Sequence, residues 1–382
     1  ASDRTSFFRR SAVSDPQANP AASSAAIQHV FVLMLENHSF DHLLAMSGIP
    51  GINAATTSDT NKIGDQVYHV QDGAPASMTT DPGHEFADVA LQLSGGNKGF
   101  AQSYATSISE GTGTPTADHV GDIMACFNTS AQLPVIAQLA REYAVCDQWY
   151  SSMPGPTWPN RFFVHGASSA CLDRSPHTLE EVEWESHVHG FAFEHGSIYQ
   201  ALTTAGHQWR LYSDMHNRYR DPSEWQDGGW IPQVSSPRGI SIFDVHPLDS
   251  SRQSIPWADN FVRDLQGDYP YAYTFIEPNF GKSFFDKQPP WPGPTYKDGS
   301  SQHPEDDPYG GECLIKAVYE AIRNSPLRRP LHNVARARQA RRKIPKTPER
   351  TEVREDFSGF FNDASRARSS CAEVFSGRAA CW

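Results

Sequence analysis

The sequence lacks an apolar segment long enough to cross a membrane. Its longest strongly apolar stretch covers only residues 30–35, whereas a bilayer-spanning helix needs about 20 apolar residues. It also lacks an excess of positive charge, since 32 Lys and Arg stand against 44 Asp and Glu, a net charge of -12. A general nucleic-acid binder needs clustered cations against phosphates. The composition therefore argues against an integral membrane protein and against a nucleic-acid partner.

The six cysteines show no CxxC or Cys-His spacing, so no structural zinc site is expected. No repeat with a period of about 20 to 50 residues occurs, which excludes repeat architectures. Hydrophobic residues make up 38% and aromatic residues 11% of the chain, as is typical of a packed globular protein. The chain opens at Ala1 without Met. We therefore expect that a leader was removed on export and that the protein is secreted or periplasmic.

Composition divides the chain into three segments. Residues 1–26 are rich in Ser, Ala and Pro, which predicts a flexible N-terminal segment. Residues 327–382 carry 13 basic and 6 acidic residues, a net charge of +7, while the preceding 326 residues carry -19. This basic tail has few large apolar residues, which is typical of a solvated or disordered segment; a basic arm for anionic membranes is the alternative. Residues 27–326 then form the folded domain.

Apolar patterns in that domain predict an α/β fold. Residues 27–35 (IQHVFVLML) are almost continuously apolar, as expected of a strand covered on both faces in a parallel sheet. Two amphipathic helices and two further strands are predicted, and these lie at residues 133–145, 311–325, 208–212 and 271–276. Polar residues follow two of the strands directly: Glu36 and Asn37 after the first, and Glu277 after the last. Ligands collect at the carboxyl ends of strands in such sheets.

Two short stretches carry residue types suited to chemistry. The ENHSFDH stretch, residues 36–42, offers oxygen ligands and imidazoles suited to a divalent metal; alternatively it is a polar loop in which Ser39 or Asp41 caps the next helix. The MPGPTWPNRFF stretch holds Thr157 in a proline-rich turn before a helix expected to begin at Asn160 and Arg161. A helix N-terminus and a bidentate Arg both favour phosphate; a braced loop is the structural alternative.

Together these stretches resemble a known family, the phosphoesterases that include bacterial and fungal phospholipases C, plant non-specific phospholipases C and related acid phosphatases. The resemblance covers about residues 27–326. It rests on seven pieces in order: ENHSFDH (36–42), DPGHEF (81–86), KGFAQSY (98–104), PGPTWPNR (154–161), SIYQAL (197–202), IEPNF (276–280) and HPEDDPYGGE (303–312). The combination is specific, although each piece alone is weak. The implied fold is a mostly parallel sheet flanked by helices, similar to alkaline phosphatase.

The resemblance also implies roles for individual residues. Glu36 and Asn37 match metal ligands of the family, and Thr157 matches the nucleophile, itself bound to a divalent metal of unknown identity. His84 and His303 match histidines that line the site, where either could protonate the leaving alkoxide. Asn160, Arg161 and Glu277 are candidates for binding the substrate phosphate. Glu277 and Asp307 are the weaker candidates, and each could equally cap a loop.

The implied reaction is that of a metal-dependent phospholipase C, with a phospholipid or other phosphate ester as substrate and contact with a membrane surface. An acid phosphatase with the same site is the alternative.

The family pattern breaks after residue 326. A buried strand and an acidic motif of the type DEHGGFYDHV are expected there, and the basic tail follows instead. We therefore expect a C-terminal part that is truncated or replaced, by hypothesis through out-of-frame translation. A third possibility follows, a catalytically inactive relative that binds head groups.

Overall fold

The computed structural model describes residues 27–36, 38–111, 113–176, 193–214, 261–278 and 299–328, and the backbone of residues 242–244 and 360–361. The predicted N-terminal segment, Asn37 and most of the basic tail lie outside the described residues.

A five-stranded parallel sheet forms the centre of the fold. Its strand order is β7-β6-β8-β1-β9, and every pairing within it is parallel. The strands are β1 (Val30–Met34), β6 (Gln208–Ser213), β7 (Ile242–Asp244), β8 (Tyr271–Glu277) and β9 (Phe360–Phe361). Short pairings outside this sheet involve β2 (Thr60–Ile63) with β3 (Gln66–His69), and β4 (Gln71–Asp72) with β5 (Ala125–Cys126).

Ten α-helices lie in the described part of the chain. They are α1 (Phe40–Leu44), α2 (Phe86–Asn97), α3 (Phe100–Glu110), α4 (Ala117–Gly121), α5 (Thr129–Gln132), α6 (Pro134–Glu142), α7 (Thr157–Gly166), α8 (Ile198–Thr204), α9 (Phe261–Asp264) and α10 (Pro308–Asn324). Near its end α2 kinks, because Gly95 and Gly96 have φ values of 58° and 74°, which glycine adopts without steric cost.

Alternate side chains of β1 enter two different cores, as the pleat of a strand requires. Phe31 and Leu33 belong to a buried cluster that includes Val318 of α10. Val32 and Met34 belong to another cluster on the opposite face, with Tyr199 of α8. The sheet is therefore covered on both faces. This arrangement confirms the predicted α/β class and explains why the β1 sequence is apolar throughout.

The predicted strands and helices that fall in the described residues are confirmed. Residues 208–212 and 271–276 form β6 and β8, and residues 133–145 and 311–325 contain α6 and most of α10. Ser39, one of the two residues predicted to cap the next helix, is the N-cap of α1 and accepts a hydrogen bond from the backbone N of His42 at 3.0 Å. In the described residues no helix is sufficiently long and apolar to traverse a bilayer.

One short piece of the basic tail joins the sheet. The backbone of Phe360 and Phe361 pairs in parallel with Leu33 and Met34 of β1. This strand was not predicted, because the tail shows no sustained strand pattern. It occupies the side of β1 opposite β8.

Candidate active site

Polar groups gather where three neighbouring strands of the sheet end. Glu36 follows β1, Asp214 follows β6, and Glu277 is the last residue of β8. The backbone N of Asp214 donates to the carbonyl of Glu277 at 2.9 Å, and the Ser300 hydroxyl donates to Asp214 Oδ2 at 2.6 Å. The backbone N of Glu36 donates to the carbonyl of Ser301 at 2.9 Å. The described segment 299–303 thus lies across the carboxyl edge of the sheet, where ligands bind in α/β folds.

This loop has a sharp bend at Gln302, whose φ is 61°. A left-handed conformation costs a non-glycine residue roughly 1–2 kcal/mol, so the surroundings must hold it. The Gln302 side chain is fully buried against α10, where a Cβ added to Gly311 would lie 2.2 Å from Gln302 Cγ. Glycine at position 311 therefore makes room for Gln302, and the bend separates Ser301, which contacts Glu36, from His303, which faces Asp81.

Thr157 is the first residue of α7. The helix therefore begins three residues before the predicted start at Asn160, because Pro156 is in an extended conformation and acts as the N-cap. Thr157 is half-buried, and the first turn of a helix carries backbone N–H groups that attract phosphate oxygens. The position suits a nucleophile that meets a phosphorus atom at a helix N-terminus.

Asn160 holds the loop before Thr157 in place. Its Oδ1 accepts from the backbone N of Met153 at 3.0 Å, and its Nδ2 donates to the carbonyls of Met153, Gly155 and Pro156 at 3.0–3.1 Å. The amide group is buried, and both its oxygen and its nitrogen form hydrogen bonds with this loop. In place of the predicted phosphate contact, this geometry favours a role for Asn160 in positioning Thr157.

Arg161 and Glu277 bind each other in the interior. Both side chains have 0% exposure, and Arg161 Nη2 donates to Glu277 Oε2. The same nitrogen lies 3.5 Å from the carbonyl of Met34 at the end of β1. Burial raises the pKa of Glu277, and Arg161 opposes that shift. These contacts favour a structural role, the joining of α7 to the ends of β1 and β8, over the predicted contact with substrate phosphate.

His84 and His303 meet across the carboxylate of Asp81. Asp81 Oδ2 lies 3.7 Å from His84 Nδ1, and Asp81 Oδ1 lies 3.5 Å from His303 Nε2. The two predicted histidines are therefore brought into one cluster. Asp81 was not among the predicted site residues, although it stands in the DPGHEF stretch. Its position three residues before His84 could have indicated a role at the site. Its contact with His303 could not be predicted, because His303 is distant in the sequence.

The pKa values of His84 and His303 are shifted in opposite directions. Burial alone would lower the pKa of His84, but the Asp81 carboxylate, the Pro82 carbonyl, Glu85 and Glu36 outweigh it, and the pKa is raised. Burial, with a contribution from His84, lowers the pKa of His303 well below its ordinary value. Burial raises the pKa of Asp81 to about 6, although His84 opposes that shift. One imidazole is thus favoured as a cation and the other as a neutral ring.

The two histidines of the ENHSFDH stretch are internal. His38 Nδ1 and His42 Nδ1 lie 2.9 Å apart, and the His42 ring stacks on Phe127 with centroids 4.5 Å apart. Burial lowers the pKa of His42 to about 4. The pair is therefore neutral and supports the turn between β1 and α1.

The predicted metal site is only partly described. Glu36 is buried directly after β1, and Asn37 lies outside the described residues. Within the described ranges, no three His, Cys, Asp or Glu side chains form a group that could hold a metal ion. This part of the chain thus offers Glu36 and Thr157 toward such a site without completing a ligand set. Asp307, the weaker candidate, is the N-cap of α10, and its side chain accepts from the backbone N of Tyr309.

Comparison with known proteins identifies the family. The model of the Phosphoesterase family matches residues 27–329, and the chain belongs to this family. The match begins where the predicted domain begins and ends within a few residues of its predicted end at residue 326.

Several relatives are phospholipases C. The chain is 30% identical to "Non-specific phospholipase C6" of Arabidopsis thaliana over 312 residues, which are 78% of this chain and 50% of that protein. It is 31% identical to "Non-specific phospholipase C1" of the same plant over 316 residues, 80% of this chain and 51% of that protein. "Hemolytic phospholipase C" of Pseudomonas aeruginosa is 26% identical over 329 residues, 78% of this chain and 40% of that protein. The chain spans about half the length of these plant relatives.

Proposed function

We propose that the protein hydrolyses phosphodiesters as a phospholipase C and releases the phosphorylated head group of a phospholipid. The observation that carries this proposal is the position of Thr157, a hydroxyl at the N-terminus of α7, which Arg161 ties to the carboxyl ends of β1 and β8. Membership in the Phosphoesterase family and relatives named phospholipase C support the same reaction class.

In the proposed first step, the Thr157 oxygen attacks phosphorus and loses its proton to solvent. The bond between phosphorus and the diacylglycerol oxygen breaks, and that oxygen takes a proton from His84. In the second step water attacks the phosphorylated Thr157, His84 accepts a proton from this water, and the Thr157 oxygen leaves and is reprotonated from solvent. Covalent catalysis of this kind replaces one difficult displacement with two easier ones.

Hydrogen bonds favour His84 over His303 as the proton donor. The backbone N of Glu305 donates to His303 Nδ1 at 3.4 Å, so the His303 proton belongs on Nε2, which points at Asp81. His84 Nδ1 instead donates to the carbonyl of Pro82 at 3.1 Å. That leaves Nε2 of His84 for the reaction, and the raised pKa of His84 keeps a proton there.

A divalent metal is part of the proposal, with Glu36, Asn37 and Thr157 as its expected ligands. Such an ion would supply positive charge to the phosphate oxygens and to the attacking oxygen. Direct binding measurements with Mn²⁺, Ca²⁺ and Zn²⁺ by calorimetry test this, with Glu36→Gln as the variant. Equal binding by both proteins would contradict the assignment of Glu36.

The reaction is tested by phosphorylcholine release from phosphatidylcholine by the purified chain. We expect Thr157→Ala to lower kcat by roughly a thousandfold or more, as removal of a nucleophile does, and Thr157→Ser to retain activity. Thr106→Ala, which removes an exposed hydroxyl on α3, is the matched control. Full activity of Thr157→Ala would overturn the nucleophile assignment.

The same preparation distinguishes a phospholipase from an acid phosphatase. Phosphatidylcholine is a diester and 4-nitrophenyl phosphate is a monoester, so the ratio of kcat/KM for the two separates the alternatives. Faster turnover of the monoester would favour the phosphatase. Binding of phosphorylcholine without turnover of either substrate, persisting in Thr157→Ala, would favour an inactive head-group binder.

A further inference from the structure

Asp81 occupies a fixed position between two segments that are distant in sequence. The backbone N of Met78 donates to the carbonyl of Pro304 at 2.8 Å, and the Ser77 hydroxyl donates to the carbonyl of Glu305 at 2.6 Å. These bonds hold the segment before Asp81 against the segment that carries His303. On the other side of Asp81, the backbone N of Gly83 donates to Ser107 Oγ at 3.0 Å.

The start of α2 fixes His84 in the same way. Glu85 and Asp88 form a capping box, in which the backbone N of Glu85 donates to Asp88 Oδ2 at 3.0 Å. Gln92 Nε2 donates to the carbonyl of Gly83 at 2.6 Å. Residues 83–85 are therefore anchored to α2 and α3, and His84 projects from a rigid turn.

Each oxygen of Asp81 faces a different imidazole. Oδ1 is shielded from solvent and lies 3.5 Å from His303 Nε2, while Oδ2 lies 3.7 Å from His84 Nδ1. The 3.7 Å separation from His84 is within ion-pair range, and both separations are longer than an ordinary hydrogen bond. Such contacts at a catalytic site often tighten only when substrate is bound.

We propose that Asp81 is the positioning residue of this site, whose carboxylate bridges His303 and His84 and orients His84 to protonate the leaving oxygen. This inference rests on the proposed function. In the proposed arrangement His303 donates from Nε2 to Asp81 and holds the carboxylate. Asp81 and the Pro82 carbonyl both face Nδ1 of His84, which leaves the protonated Nε2 to serve the leaving oxygen. His303 then acts through Asp81 rather than on the substrate.

The charged and titratable neighbours are consistent with this assignment. Glu85 and Glu36 help to raise the pKa of His84. Burial raises the pKa of the Tyr104 phenol, with smaller contributions from Asp122 and Asp81. His84 is the basic group that opposes the raised pKa of Asp81. Asp81 and His84 consequently titrate as a pair.

The leaving group provides a test that general structural damage would not imitate. Phosphatidylcholine loses an alkoxide that needs a proton, whereas 4-nitrophenyl phosphorylcholine loses a nitrophenolate that does not. We expect Asp81→Asn to lower kcat/KM, which reports the attack by Thr157 and the departure of the leaving group, by about a hundredfold for phosphatidylcholine and by less than about tenfold for the nitrophenyl ester. Asp81→Glu should restore part of the loss, and Asp65→Asn, in the exposed turn between β2 and β3, is the matched control.

A second readout does not depend on turnover. In protein labelled with ¹⁵N-histidine, NMR reports the tautomer and titration of each ring, assigned with His84→Gln and His303→Gln. We expect His303 to carry its proton on Nε2, and Asp81→Asn to lower the titration midpoint of His84 by about one pH unit or more.

The outcomes separate the two proposals. An equal fall on both substrates in Asp81→Asn, or an unchanged His84 titration, would overturn the role of Asp81. Absence of turnover of both substrates by the unmodified chain would overturn the proposed function, and the NMR titration alone would then decide whether Asp81 couples the two histidines.

Discussion

At the scale of single residues, the stability of the region around Thr157 depends on the buried pair of Arg161 and Glu277. Removing one partner of such a pair leaves a buried charge without compensation, which typically destabilises a protein by about 3–5 kcal/mol. We expect Arg161→Met to lower the free energy of unfolding by this amount in urea denaturation. Arg323→Met, at an exposed position of α10, should change it by less than about 0.5 kcal/mol.

The double variant tests whether the pair acts as a unit. In Arg161→Met/Glu277→Leu no buried charge remains, so the loss should be smaller than the sum of the two single losses. Additive losses would contradict the pairing and reopen a separate role for Arg161 at the substrate phosphate.

The sequence identifies candidate residues but not their partners. His84, His303 and Thr157 are candidates because their local motifs resemble those of the family, and their chemical roles stay predictions. Asp81 and the burial of Arg161 could not be predicted, because each depends on a contact with a residue far along the chain. A local pattern such as a helix start identifies a possible phosphate site but does not reveal which side chain lies opposite.

At the scale of secondary structure, the long periodic segments were predictable. The strand β1 and the helix α10 follow from apolar patterns, since burial on both faces requires continuous apolarity and burial on one face requires helical spacing. The hairpin of β2 and β3 and the kink in α2 were missed. Those features depend on turn residues and on packing against α3, neither of which produces a clear period.

Two helices are joined by a buried carboxylate, which makes stability depend on pH. The Glu312 side chain of α10 accepts hydrogen bonds from the backbone N of Val135 and of Ile136 in the first turn of α6. Burial raises the pKa of Glu312 to about 7, although both hydrogen bonds oppose the shift. The folded state therefore holds this proton more tightly than the unfolded state.

The sign of the effect follows from that difference. The contribution of Glu312 to stability is complete below its ordinary pKa of about 4.3 and is lost as pH rises through about 7. We expect the free energy of unfolding in urea to fall by about 1–3 kcal/mol between pH 5 and pH 8. Glu312→Gln should reduce this slope, and Glu320→Gln, an exposed partner of Lys316, should not. An unchanged slope in Glu312→Gln would contradict the assignment.

At the scale of the whole molecule, the basic tail contributes to the sheet through β9. Its backbone pairs with Leu33 and Met34, and proline cannot donate a hydrogen bond to such a ladder. We expect Phe360→Pro/Phe361→Pro to speed hydrogen exchange about tenfold or more in the peptide that covers β1. Phe375→Pro introduces proline elsewhere in the tail and serves as the control. Unchanged exchange in β1 would contradict the pairing.

The boundary near residue 327 is predicted from two signals in the sequence, the reversal of net charge and the loss of the family pattern. The family match ends at residue 329, close to that point. The pairing of β9 could not be predicted, since two residues carry no periodic signal.

The amide of Asn160 has a consequence for how a substrate would meet Thr157. Its four hydrogen bonds to the preceding loop are made entirely within the chain. The conformational entropy of that loop is therefore lost during folding and not during substrate binding. In the proposed reaction Thr157 is then preorganised before a phosphate ester binds, so that binding energy remains for holding the substrate itself.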